Sequence, residues 1–316
     1  MPDVKSRIRS EIGQLSWALR EYRRPQRWVE QWRSNRGITL PDLPEPSQRD
    51  EVWGIAMVRD EADIIGLTVQ HLLDQGLDHV LVVDNRSRDA TPRILAELSA
   101  RDPRLHVGRD DEPRYYQAEK MSYLAHIARQ RGARWVVPFD ADEFWFAKDE
   151  LLADLLRRQD TATVVHAAWH SMVPSGDGPI DVETEYVLDA TPTFPGKVAA
   201  RTHPWLVLGV GNHSAARVGA HAHGIHIAHA VYRSQSQVAR KVRQGAAAAV
   251  AAGKSGNIAP HWRRASGLDD DAIADIWSDL RTGRPVPLLD HQAAGPMVSV
   301  RPGVWSTWDP ADLLAG

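Results

Sequence analysis

Two carboxylates one residue apart, Asp140 and Asp142, close the apolar run Trp135-Val136-Val137-Pro138-Phe139. On an extended backbone alternate side chains point the same way, so the pair can converge on one cation where a buried strand reaches the surface. Hard cations such as Mg2+ take carboxylate oxygens and keep substrate phosphate oxygens among their other ligands. The pattern points to metal-assisted chemistry on a phosphorylated substrate, whereas a lone Asp-x-Asp is as easily a solvated turn. Two more polar clusters end apolar runs: Arg59-Asp60-Glu61 after Val52 to Val58, and Asp84-Asn85-Arg86-Ser87 after His79 to Val83.

The elements that must carry these clusters alternate. Val52 to Val58 is a continuous apolar run, the mark of a strand buried on both faces. Glu61 to Gln75 has helical periodicity through Ile64, Ile65, Leu67, Val69, Leu72 and Leu73, with Gly76 as its C-cap. His79 to Asp84, Arg104 to Val107 and Arg134 to Phe139 read as strands, and Asp89 to Ala100 and Gln117 to Arg131 as helices. Strand and helix in alternation predict an α/β protein with a doubly wound, mostly parallel sheet. In such sheets ligands bind beyond the carboxyl ends of the strands, where all three polar clusters fall, so together they describe one crevice.

Beyond Asp149 the order loosens. A helix is expected over Asp149 to Arg158, a strand over Thr161 to Trp169, a Gly-rich turn over Ser175 to Pro179 and short strands over Phe194 to Val210. The histidines between His203 and His229 read mostly as a loop near the crevice mouth. Gln237 to Ala252 reads as an Ala-rich helix, and the remainder as an irregular tail with one helix at Asp269 to Leu280. At the other end, Ile8, Ile12, Leu15, Leu19 and Tyr22 form an apolar stripe within Lys5 to Tyr22, ringed by arginines and stopped by Pro25. Such a helix either packs on the main domain or lies on an anionic membrane surface. Pro41, Pro44 and Pro46 mark a linker. The expected division is 1–48 as helical extension and linker, 49–262 as the main domain and 263–316 as the tail.

Composition narrows the classes. The 316 residues are 43% hydrophobic and 25% charged, as in ordinary globular proteins. A net charge of -3 gives no overall case for nucleic-acid binding. The absence of cysteine excludes disulfides, zinc-thiolate sites and thiol nucleophiles. No apolar run is long enough to span a bilayer and the N-terminus lacks a signal-peptide core, so a cytoplasmic protein is expected.

Met57 to Asp63, Val82 to Thr91 and Phe139 to Phe144, in order at three strand ends, resemble the motifs of the glycosyltransferase family 2-like group. The resemblance covers Val52 to Phe146. It continues more weakly to about Lys254 through Lys197, Gly211-Asn212-His213, His229, Tyr232-Arg233-Ser234 and Lys241. It implies a GT-A fold, in which a Rossmann-type nucleotide-sugar half is joined to an acceptor half. It also implies transfer of a sugar from a nucleotide-sugar to a hydroxyl acceptor with inversion, assisted by Mn2+ or Mg2+. Asp142 would be the direct metal ligand, Asp140 would touch the metal or the ribose, and His229 or else His213 would complete the metal shell. Where the look-alikes carry Asn after the first strand, this chain has Asp60.

Arg59, Glu61, Asp84, Lys120 and Asp140 are the candidates for holding the donor. Asp84 either bonds the base or ribose or caps the next helix, a task open to Ser87 or Asp89 as well. Glu61 either meets the nucleotide or caps its own helix. Lys120 either reaches the phosphates or is a solvated helix-face lysine, the latter reading being favoured; Lys197, Arg233 and Lys241 are further cations that could balance the phosphates. For the acceptor base, which must be a carboxylate or histidine beside the reacting hydroxyl, Asp177 and His170 are weak candidates. Trp169 and Trp205 are read as core rather than as sugar-stacking surfaces. The expected donor is a UDP-sugar, the commonest among look-alikes, and the setting bacterial polysaccharide or glycoconjugate assembly. The alternatives are a non-catalytic nucleotide- or glycan-binding module and a nucleotidyltransferase. The acidic, glycine-free Arg59-Asp60-Glu61-Ala62 speaks against the latter.

Overall fold

The computed structural model describes residues 12–13, 16–17, 19–20, 23, 25–47, 50–112, 116–241, 268–289 and 291–309. Most of the expected N-terminal helix and the residues 242–252 of the Ala-rich helix lie outside the described residues, and so does Lys254. The chain forms two compact units: 1–168, 195–227 and 306–308 in the first, and 169–194, 228–305 and 309–316 in the second.

The core of the first unit is four parallel strands in the order β4-β3-β2-β5: β4 (Leu105–Asp110), β3 (His79–Asp84), β2 (Glu51–Val58) and β5 (Ala133–Pro138). These are the apolar runs of the sequence, and β2 and β3 are buried almost throughout. β1 (Ile38–Thr39) adds antiparallel to β4. Beyond β5 the order continues through β9 (Thr193–Arg201), β7 (Ala162–Pro174), β12 (Ala220–His229) and β6 (Glu143–Ala147), with β9 antiparallel to β5, while β10 (Val207–Leu208) and β11 (Ala215–Ala216) form a separate antiparallel pair. The helices are α1 (Pro25–Gly37), α2 (Ile65–Asp74), α3 (Thr91–Ser99), α4 (Gln117–Gln130) and α5 (Leu152–Arg157). One core cluster packs α2, α3 and α5 side chains such as Leu72, Leu95 and Leu156 on Val82, Val137 and Ile227; a second packs Met121, Leu124 and Ala128 of α4 on Ile55, Leu81 and Val136.

Gly76 ends α2 as expected. At φ +81° it closes a Schellman pair, with Gly76 N donating to Leu73 O at 3.2 Å and Leu77 N to Leu72 O at 3.3 Å. Pro25 opens a further helix, α1, because a missing N–H is harmless in a first turn. One expectation is corrected. The histidine-rich segment is not mainly a loop: His221, His223, His226 and His229 lie on strand β12, whose His/Ala alternation is that of a half-exposed strand.

In the second unit the end of β7 pairs with β8 (Tyr186–Asp189), and β8 pairs with β13 (Met297–Val300), both antiparallel. The tail is thus partly regular. Helix α6 (Asp270–Arg281) starts where the Asp269 carboxylate accepts from Ala272 N at 2.9 Å. It packs Ile273, Ile276, Trp277 and Leu280 against Val173, Tyr232 and Val238.

Candidate active site

Parallel register brings the strand-end clusters of the first unit side by side. Val58 is level with Asp84 across β2 and β3, and Ile55 with Pro138 across β2 and β5. Asn85 N donates to Val58 O at 2.8 Å and Phe139 N to Ile55 O at 3.1 Å, so both neighbouring loops leave the sheet beside β2.

The loops after β2 and β3 are laced together. Asp60 N donates to Ser87 Oγ (2.9 Å), Arg88 N to Asp60 Oδ1 (2.6 Å), Glu61 N to Thr91 Oγ1 (2.9 Å) and Ala62 N to Asp89 Oδ2 (3.0 Å). Asp60 holds a left-handed φ of 57°, which Asp and Asn tolerate best after Gly. Its carboxylate does for Arg88 N what an Asn carbonyl would, which explains how Asp stands where the resemblance expects Asn. At the start of α2 the backbone carbonyl of Glu61 takes up Ile64 N (3.1 Å) and Ile65 N (2.9 Å). The start of α3 is served by Asp89, whose Oδ1 accepts from Thr91 N at 2.9 Å.

Asp84 is therefore spared that task. Its Oδ2 accepts from Ser87 N at 3.3 Å, while its Oδ1 is buried without a hydrogen-bond partner among the described residues. Asp84 also lines a cavity of about 380 Å3 whose other walls are Thr39 to Pro41, Pro92 and Val107 to Arg109. A larger cavity of about 600 Å3 lies in the second unit beside Asp177, Ser234, Asp270 and Trp277, with none of the strand-end carboxylates in its wall.

Lys120 is not a solvated lysine. It is 0% exposed, and its ammonium pairs with the equally buried Asp110 and donates to Glu112 O at 3.0 Å. Asp110 in turn accepts from Asn85 Nδ2 at 2.7 Å, so this pair pins the loop that follows Asp84.

After β5, Asp140 keeps 34% of its side chain exposed while Asp142 is buried. Thr68 Oγ1 of α2 donates to Ala141 O at 2.5 Å, fixing the turn between them. Glu143, quoted in the sequence only as part of a motif, proves to be the bracket. Its Oε2 accepts from Asp140 N (3.0 Å) and Trp145 Nε1 (3.1 Å), and its Oε1 lies 3.0 Å from Lys197 Nζ. Lys197 also lies 2.5 Å from Asp140 Oδ2. Burial works against its charge, but Asp140 and Glu143 outweigh that and hold its pKa above the ordinary lysine value. The fourth member is Asn212, buried at φ 57°, with Nδ2 3.4 Å from Asp140 Oδ1. His213 is bonded to Gly196 O at 2.8 Å, which fixes the proton on Nδ1. Neither Lys197 nor Asn212 announces this role in sequence, since each comes from a segment more than fifty residues away.

The remaining candidates lie in the second unit. His170 is buried, with Nδ1 donating to Asp189 O at 3.0 Å, and burial lowers its pKa. Asp177 accepts from Trp277 Nε1 (2.9 Å) and pairs with Arg281 (2.7 Å); these contacts lower its pKa and make it a weaker base. His229 is buried edge-on against Trp169, with ring centroids 4.5 Å apart. Arg233 is buried and donates to Ala230 O at 3.1 Å, and Lys241 to Val231 O at 3.2 Å. Trp205, in the first unit, is 59% exposed and is not a core residue.

Among the described residues no group of three or more His, Asp or Glu side chains is arranged to hold a metal ion. The carboxylate oxygens of Asp142 still suit a hard cation that brings its other ligands with it. Mg2+ is commonly held by one or two carboxylates together with substrate phosphates.

A mostly parallel α/β core with carboxylates gathered at the carboxyl ends of its strands is a Rossmann-like sheet of the GT-A kind. Residues 55–193 match the model of glycosyl transferase family 2. No curated protein sequence matches the chain. Among solved structures, it is similar to the mannosyltransferase PcManGT from Pyrobaculum calidifontis in complex with GDP-Man and Mn2+. That match has 16% identity, covers 88% of each chain and has a TM-score of 0.41. It is also similar to residues 1–349 of TarS from S. aureus (13% identity, 73% of this chain and 70% of that one, TM-score 0.36). A third is glucosyl-3-phosphoglycerate synthase from Mycobacterium tuberculosis in complex with Mn2+, uridine diphosphate and phosphoglyceric acid. There the identity is 17%, the coverage 40% of this chain and 49% of that one, and the TM-score 0.28. Among the described residues no helix is long and apolar enough to cross a membrane.

Proposed function

We propose that the protein transfers a sugar from a nucleoside diphosphate sugar, with UDP as the favoured nucleotide, to a hydroxyl of a carbohydrate or glycoconjugate acceptor. Inversion at the anomeric carbon and a role in bacterial polysaccharide assembly belong to the same reading. The observation that carries it is Asp84: a buried carboxylate oxygen with no donor among the described residues, at a strand end, beside a cavity walled by Pro41, Pro92 and Val107. A nucleobase supplies both things missing there, a ring N–H for the oxygen and a flat apolar body for the walls. Asp140, half-open and oriented by Lys197 and Asn212, accepts a hydroxyl of the ribose. Asp142, with Asp140 beside it, would hold a Mn2+ or Mg2+, which when bound neutralises the diphosphate leaving group as a Lewis acid. The Asp60–Ser87 and Asn85–Asp110 bonds keep the base side of the site from collapsing before the donor arrives.

The test is thermal stability with UDP, GDP, ADP and CDP, with and without Mn2+, on wild type, Asp84→Ala and Asp142→Ala. A ligand that binds only the folded state raises the melting temperature. A rise with one nucleotide that needs Asp84, and that is enhanced by metal only while Asp142 is present, supports the reading. No rise with any nucleotide in folded protein overturns it and favours a module without a donor site.

A further inference from the structure

Of the acids in the run Asp140-Ala141-Asp142-Glu143, one buried ammonium pairs with the first and the last. We propose that Lys197 is a positioning residue that keeps Asp140 off the divalent cation, so that the metal rests on Asp142 while Asp140 faces the nucleotide. The inference rests on the glycosyltransferase reading for the presence of a metal and a nucleotide.

The geometry is built for that purpose. Lys197 lies on β9, the antiparallel neighbour of β5, and its side chain is 3% exposed. An ammonium so placed is committed to its carboxylates, because moving it would leave two acids uncompensated. With Nζ 2.5 Å from Asp140 Oδ2, a divalent cation on the same carboxylate would stand within roughly 5 Å of a like charge, with little water between to screen them. The other oxygen of Asp140 meets Asn212 Nδ2. Asn212 is fixed by its own left-handed backbone and by Gly211 N, which donates to Gln117 Oε1 of α4 at 2.8 Å. Both oxygens of Asp140 therefore meet nitrogen donors. That orients the carboxylate as a hydrogen-bond acceptor for a hydroxyl and makes it a poor partner for a cation. Glu143, which also meets Lys197 Nζ at 3.0 Å, completes the clamp by accepting from Asp140 N.

The experiment is a Mn2+ titration followed by electron paramagnetic resonance, with Mn2+ alone and with UDP or GDP. The proteins are wild type, Asp140→Asn, Asp142→Asn, Lys197→Arg and Lys197→Gln, each checked for folding by near-ultraviolet circular dichroism. Asp142→Asn is expected to lower Mn2+ affinity by about tenfold or more, and Asp140→Asn to change it by less than about threefold while weakening the nucleotide. Lys197→Arg should keep the wild-type metal affinity. Lys197→Gln frees Asp140 and should raise Mn2+ affinity by about tenfold, a gain that no purely structural role of the lysine would produce. Equal losses in Asp140→Asn and Asp142→Asn, or no gain in folded Lys197→Gln, overturn the inference and leave the functional reading standing. If Lys197→Gln does not fold, the comparison of Asp140→Asn with Asp142→Asn decides. Absence of Mn2+ binding to folded wild type, with every nucleotide tested, overturns the inference and the functional reading together.

Discussion

Replacing Lys120 by Met tests whether the loop behind Asp84 hangs on a buried ion pair. The substitution leaves Asp110 buried with two donors, Asn85 Nδ2 at 2.7 Å and Glu112 N at 3.0 Å, but no cation. Breaking a buried pair from one side costs about 3–5 kcal/mol, and the two remaining donors place this case near the lower end, about 3 kcal/mol. In a chain of this size each kcal/mol moves Tm by roughly 2–4 °C, so a drop of about 6–12 °C is expected. Urea unfolding followed by the fluorescence of the 12 tryptophans gives the same quantity isothermally. The double variant Lys120→Met/Asp110→Asn removes the stranded charge and should recover more than half of the loss. The affinity for nucleotide, measured where all forms are folded, should fall in the single variant and partly return in the double. A loss below about 1 kcal/mol, the level of an exposed pair, would refute the reasoning. A loss of nucleotide affinity without loss of stability would instead make Lys120 a direct phosphate ligand.

Three further outcomes are expected. Thr68→Val removes the hydroxyl that holds Ala141 O between the two aspartates. It should cost about 1 kcal/mol in urea unfolding and lower metal affinity about tenfold in the Mn2+ titration. Burial lowers the pKa of His71 to about 4 despite its bond to Trp145 O, so below the ordinary value of 6.5 the unfolded chain takes up a proton that the folded chain refuses. Stability is then greatest above pH 6.5 and falls as the pH drops towards 4, by roughly 3 kcal/mol for this one group. His71→Gln should flatten that slope in unfolding titrations across the window. Asp177→Asn should cost no more than about 1 kcal/mol, since the Arg281 pair is mostly exposed. A fall in turnover of about a hundredfold instead would mark Asp177 as the acceptor base.

The parallel core was legible because each strand is a short run of β-branched and apolar residues between helical periods, and burial on both faces demands that pattern. Gly76 was legible for a similar reason, as only glycine enters the left-handed turn of that cap at no cost. β8 and β13 were not, because Tyr186–Asp189 and Met297–Val300 are four residues each and pair with each other across more than a hundred residues of chain. The strand character of Ala220–His229 was hidden by composition: histidine and alanine in alternation carry little hydrophobic contrast. Pro25 carries two signals at once, since the same ring that breaks a helix interior suits a helix start.

The site divides along the same line. Asp84, Asp140 and Asp142 could be named from sequence because they sit at, or a few residues past, the ends of strands that were already visible. Their partners could not, because Lys197 and Asn212 reach Asp140 only through the antiparallel strand β9 and the turn at 210–212, and Asp110 reaches Lys120 only when α4 packs on the sheet. Carboxylates at strand ends state that a cation belongs there; they do not state which cation. In this protein the lysine comes from the fold itself and occupies Asp140, and Asp110 takes a second buried lysine in the same way. Each of these two acids thus has a cation against it before any ligand enters. Asp84, whose buried Oδ1 has no donor among the described residues, is an acid with no cation against it there, and that is a position a neutral, hydrogen-bonding base can fill.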